Sequence, residues 1–134
     1  MNIWFVIQAL AVLCISAFIG RVAMLGRELS RNPSDPKVLK RHQRRGQAIP
    51  WLILTDVVFI EAVRNHQIHP PAALFHIHLA FAMTCFAGFI LLTTTATGRK
   101  RKAIHAIVAY AATFAWAVTA GTGLPLAYLV CRSA

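Results

Sequence analysis

Four apolar runs, Ile3 to Leu25, Gln47 to Val63, Ala72 to Thr95 and Ile104 to Val130, take up most of this chain. Such runs have few ways to fold. A helix satisfies its own backbone polar groups, and about 17 to 25 apolar residues carry it across the hydrocarbon core of a bilayer. The expected fold is therefore all-α: an integral membrane four-helix bundle forming one domain.

The charges give that bundle a direction. Eleven of the fourteen Lys and Arg residues fall in two connections, Arg27 to Arg45 and Arg99 to Lys102. Basic loops near span ends resist translocation, so both connections are expected in the cytoplasm and both termini outside. A bacterial cytoplasmic (inner) membrane is the expected location, with lipid as the immediate surroundings. MNIWFV opens without a basic stretch, and Arg21 and Met24 stand where a small-residue cleavage site would be, so the first helix is expected to be retained rather than removed as a signal.

Composition excludes the obvious rival. A net charge of +10 and a pI near 10.9 suit a nucleic-acid binder, but 57% hydrophobic residues and a mean hydropathy of +0.59 do not suit a soluble domain of this size. The basic residues flank spans instead of covering a folded polar face. Cys14 and Cys85 lie inside spans and Cys131 near the end of the last, so no CxxC site or disulfide framework is present and the three read as packing residues.

The connections carry turn chemistry. Asn-Pro and Asp-Pro pairs at Asn32 to Pro36 mark turns, and a short interfacial helix from Pro36 to Arg45 is expected before the second span. Pro70 and Pro71 suit the first turn of helix three, where a missing N–H costs nothing. The GRKRK connection makes helices three and four neighbours. Small residues at Ala120, Gly121 and Gly123 permit close helix approach, and Pro125 is expected to bend or loosen the last helix.

Histidine is the residue type here that most readily carries chemistry, because imidazole ligates copper, zinc and haem iron. Six occur, in two layers. His66, His69, His76 and His78 form an outer cluster around the middle connection and the start of helix three. His42 and His105 form an inner layer, before helix two and at the opening of helix four. His76 and His78 are two positions apart and project about 200° from one another, so one of them faces the bundle. A two-haem plan would need His about 13 or 14 residues apart on each of two helices, and that spacing is absent. One haem clamped by His from different helices fits. The bland reading of each His is bonding to headgroups and water at the interface.

Acids inside spans are costly and tend to face a bundle interior. Asp56 lies near mid-span as a proton-handling or polar site, with Arg21, outer-layer His, Thr84 or Thr119 as possible partners. Glu61 is one turn from Arg64 and Asn65 and suits an interfacial ion pair equally well. Trp4 and Trp51 belong to interfacial belts, whereas Trp116 sits mid-helix and its N–H needs a partner when buried.

The stretch from His105 through Trp116 to Thr122 and Gly123, followed by Tyr128, resembles the last helix of a small bacterial membrane family that includes the CtaM oxidase-assembly proteins. HIHLA at His76 to Ala80 is similar to the start of that family's third helix and puts His76, rather than His78, at the family position. His42 and His66 match its second helix more loosely; Phe114 and Val118 stand where Pro and Tyr are common. The resemblance covers roughly residues 40 to 130. It implies a four-helix membrane protein tied to the maturation of haem-copper terminal oxidases, with His42, His66, His76 and His105 as the positions carried over.

Together these readings lead to a metal- or haem-associated accessory protein or subunit of a respiratory electron-transfer complex. Its cofactor would be copper or b-type haem, with His66, His69, His76 and His78 as the candidate metal set, and a larger membrane complex as partner. No nucleophile, nucleotide loop or complete catalytic constellation is visible, so no enzymatic activity of its own is expected. The alternative is a cofactor-free structural subunit of a larger membrane complex, packed through its small residues.

Overall fold

Proline and aspartate set the first turn. The computed structural model, which describes residues 3–63, 71–94 and 102–131, ends α1 (Ile3–Arg31) just before Pro33. The Asp35 carboxylate then accepts the backbone N–H groups of Lys37 (2.8 Å) and Val38 (3.2 Å), satisfying two donors that a helix start leaves open. Pro36 takes the first position of α2 (Pro36–Val63), where its fixed φ suits a helix. Thus the basic stretch expected as a connection is almost wholly helical. Arg27 and Arg31 end α1, and Lys37 to Arg45 open α2. The separate short helix expected before the second span is instead continuous with it, through Gly46 and Pro50. Pro50 withholds the N–H that the Gly46 carbonyl would otherwise accept, without ending the helix.

α3 (Ala72–Thr94) and α4 (Lys102–Cys131) complete an all-helical chain. The Phe75 N–H bonds the Pro71 carbonyl at 3.0 Å, so α3 starts where the two prolines suggest. Pro125 lies within α4, which continues past it to Cys131. The GRKRK turn, up to its final Lys102, lies outside the described residues.

Among the described residues α1, α3 and α4 are long and apolar enough to cross a membrane. Only 22%, 11% and 22% of the most apolar windows of α1, α3 and α4 are buried inside the bundle, so most of their large side chains point outward. Trp51, Ile107 and Tyr110 are 70%, 68% and 76% exposed. An apolar surface this extensive is an association hazard in water and a matched surface in lipid.

The helices form a square. α1 packs on α2, α2 on α3, α3 on α4 and α4 on α1, with α3 and α4 the most extensively joined pair and α2 and α4 across a diagonal. What faces the centre follows a seven-residue rhythm, the signature of nearly parallel helices packed side by side. In α1 the inward positions are Gln8, Ile15 and Val22, with Val12, Ile19 and Gly26 beside them; in α2 they are His42, Ile49 and Asp56 with Gly46 and Ile53. α3 contributes His78, Cys85 and Leu92 with Phe89, and α4 contributes His105, Ala112 and Thr119 with Trp116 and Gly123. The apolar members form one core. Its polar members make the candidate sites.

Candidate functional site

His42 sits on the second turn of α2, facing α1. Its Nδ1 lies 3.2 Å from the Val22 carbonyl, which can only accept, so Nδ1 carries the proton and the lone pair of the neutral ring is on Nε2. The same arrangement orients and fixes the tautomer of many metal-ligating histidines. Gly26 makes room for the ring: a Cβ built there would lie 3.2 Å from His42 Cε1. From the diagonal helix α4, His105 approaches to a ring-centroid separation of 6.1 Å, with the planes inclined by 68°.

Both rings line one partly open cavity of about 270 Å³ to which all four helices contribute. Ile19, Val22, Ile49, Phe89 and Leu92 make it largely apolar, while Gln43, Gln47, Thr93 and Thr113 add a few polar groups. Around it α2 carries Lys40, Arg41, Arg44 and Arg45, all exposed. The cavity therefore sits at the basic end of the bundle, lined by two imidazoles and by mainly apolar side chains. Such an arrangement suits a flat or compact acidic ligand that imidazole can hold.

The outer cluster is organised differently. His78, in register with Cys85, faces α4, and its Nδ1 lies 3.1 Å from Thr122 Oγ1. That hydroxyl spends its proton on the Val118 carbonyl at 2.8 Å, so it accepts from His78. Gly123 leaves the space the ring occupies, since a Cβ there would fall 2.9 Å from His78 Cε1. His76, two positions away, is exposed beside Phe75. The member of the pair that faces the bundle is thus His78, a choice their two-residue spacing leaves open, and the one at the family position, His76, is exposed. His66 and His69 lie outside the described residues, and among those described no group of three or more His, Cys, Asp or Glu converges on one point.

Asp56 meets a partner absent from the sequence-based candidates. The Gln8 amide, buried at 5% exposure, donates to both carboxylate oxygens, at 3.0 and 3.1 Å. Of the partners proposed from sequence, Thr84 and Thr119 instead bond the carbonyls four residues before them, Ala80 and Ala115. Glu61 is on the exposed side of α2, and Arg64 and Asn65 lie outside the described residues. The Trp116 indole N–H donates to Ser16 Oγ at 2.9 Å, and Ser16 passes its own proton to the Val12 carbonyl. Gly121, expected at a close helix approach, would have nothing within 4 Å of an added Cβ; the tight approach is Gly88 on Ala112.

Comparison of the chain with protein-family models, with curated proteins and with solved structures finds no match.

Proposed function

We infer that this protein is a metal- or haem-associated accessory protein or subunit of a respiratory electron-transfer complex in a bacterial inner membrane, and that it serves a haem-copper terminal oxidase. One observation carries the reading. His42 and His105, from helices on opposite corners of the bundle, meet in a shared apolar cavity, and a backbone carbonyl holds His42 with Nε2 as its lone-pair atom. Two imidazoles converging on one largely apolar space form a ready pair of ligands, because neutral imidazole is a preferred donor to copper and iron. The resemblance of His105 to Thr122 and Gly123 to an oxidase-assembly family supplies the link to the oxidase. The basic end then faces the cytoplasm, and the outward apolar faces meet lipid and the partner complex.

The test is purification from native membranes in mild detergent with elemental analysis, an optical spectrum and identification of what copurifies, alongside oxidase content in cells lacking the protein. Haem or near-stoichiometric copper, and a loss of assembled oxidase that wild type restores and His42→Ala does not, are expected. A colourless, metal-free protein with normal oxidase in its absence overturns the reading in favour of a cofactor-free structural subunit.

A further inference from the structure

We propose that the cavity at the basic end is a haem site, with His42 and His105 as the two axial ligands of one iron porphyrin held across the diagonal of the bundle. The proposal rests on the functional reading above and narrows it from a metal or haem to a haem, at a stated pair of residues.

Spacing comes first. Two imidazoles bound on opposite sides of one metal, each through a nitrogen–metal bond of about 2.0 Å with roughly 1.1 Å more to the ring centre, have centroids about 6 Å apart. The observed separation is 6.1 Å. The 68° between ring planes is no obstacle, since each plane need only contain the metal.

Ligand count separates a porphyrin from zinc and copper(II), and leaves copper(I), which two imidazoles can satisfy, to the experiment. Zinc takes about four protein ligands, and copper(II) likewise prefers a full equatorial set. Among the described residues no third His, Cys, Asp or Glu joins the pair. A haem iron brings four equatorial nitrogens and asks the protein for two, which is the number present.

The surroundings fit the rest of the molecule. The cavity that both rings line is walled by Ile19, Val22, Ile49, Phe89 and Leu92, which suit the apolar face of a porphyrin. Its volume, about 270 Å³, is just below the usual range of ligand pockets, and the cavity is partly open, which leaves room for the rest of the ring. The acidic propionates have Arg41, Arg44 and Arg45 close to His42 along α2, and guanidinium groups bind carboxylates in bidentate pairs.

The experiment is a titration of the full-length protein in detergent, with haemin in one series and copper(I) in another, followed by optical and electron paramagnetic resonance spectra. One haem per chain is expected, with the low-spin signature of two axial imidazoles in the wild-type protein itself. His42→Ala and His105→Ala should each give a high-spin, five-coordinate spectrum and at least tenfold weaker binding; Tyr110→Phe, at an exposed position of α4, should leave both unchanged. Circular dichroism identifies any variant that has failed to fold, and the wild-type spectrum stands regardless of the variants. A low-spin haem that survives both His changes overturns the assignment. Copper(I) bound one to one, without haem and lost on the same changes, overturns the haem proposal while leaving the metal-associated reading intact. No binding of either overturns both, whereas haem bound as expected in a protein whose absence leaves the oxidase normal removes only the oxidase link.

Discussion

Replacing Gly88 with Ala should force α3 and α4 apart. A Cβ at Gly88 would lie 2.9 Å from the Ala112 Cβ and 3.5 Å from its Cα, and the first of these contacts is shorter than methyl groups tolerate. Carbon atoms are best separated by about 3.5 to 4.0 Å, so the helices must separate locally by roughly 0.6 to 1.1 Å. Overpacking of this kind costs about 1 to 3 kcal/mol. The new Ala also favours the helix by about 0.8 to 1.0 kcal/mol over Gly, which masks part of the cost. Gly121→Ala removes that ambiguity, because Gly121 has open space around it and gains the propensity alone. Gly88→Ala should therefore be less stable than Gly121→Ala by about 1 to 3 kcal/mol.

Titration of the detergent-solubilised protein with a denaturing detergent, followed by far-ultraviolet circular dichroism, measures this difference. Exchanging the two residues gives a stricter test. In Gly88→Ala/Ala112→Gly the methyl moves from one helix to the other, the propensity changes cancel, and the close approach is restored. The double variant should recover most of the stability lost in Gly88→Ala, with a favourable coupling between the sites of about 1 kcal/mol or more. Equal stability of Gly88→Ala and Gly121→Ala, or strict additivity in the exchange, would refute the close approach of α3 and α4 at this point.

Two further perturbations address the polar contacts inside the bundle. A double-mutant cycle of Ser16→Ala and Trp116→Phe should give a coupling of about 0.6 kcal/mol, with about 1.7 kcal/mol as the upper bound for hydrogen bonds between membrane helices; a coupling indistinguishable from zero removes the α1–α4 bond. For Gln8 and Asp56, each single change to Leu leaves a buried polar partner exposed to apolar surroundings and should cost about 1 to 3 kcal/mol, whereas Gln8→Leu/Asp56→Leu removes both groups and should be more stable than either single variant. Detergent unfolding of the four proteins checks the ranking, and a double variant weaker than both singles contradicts the pairing.

The four helices and the tight helical neighbourhood were legible because apolar run length and proline position act locally. Ala72 to Thr95 and Ile104 to Val130 match α3 and α4 closely in extent, α1 continues past Leu25 to Arg31, and Pro36 and Pro71 mark helix starts. The path of α2 was not legible: a change from basic to apolar composition reads as a boundary, but the backbone hydrogen bonds of a helix are indifferent to it. The partnerships were also hidden. Gln8 and Asp56 are 48 residues apart, His78 and Thr122 are 44 apart, and Ser16 and Trp116 are 100 apart. Nothing local ties such pairs together. They are created by which faces of two helices come to oppose one another.

A signal for those faces was nevertheless present, at a longer period than single turns reveal. Steps of seven from His42 reach Ile49 and Asp56, from His78 reach Cys85 and Leu92, and from His105 reach Ala112 and Thr119, all buried or half-buried. Steps of seven from His76 reach Met83 and Ile90, both exposed. Spacing between adjacent histidines says only that His76 and His78 point apart; the register of the whole helix says which one points inward. The same register makes the His42–His105 pair intelligible, since each heads the inward row of its helix and the two rows face each other across the diagonal at the basic end. Gly26, in the inward row of α1 with Val12 and Ile19, then supplies the gap that His42 needs. Gly123 and Thr122 hold His78 in the same way, so a glycine opposite the ring and an acceptor at Nδ1 are how this bundle seats an inward histidine, and what sets His42 apart is His105 and the cavity that both rings line.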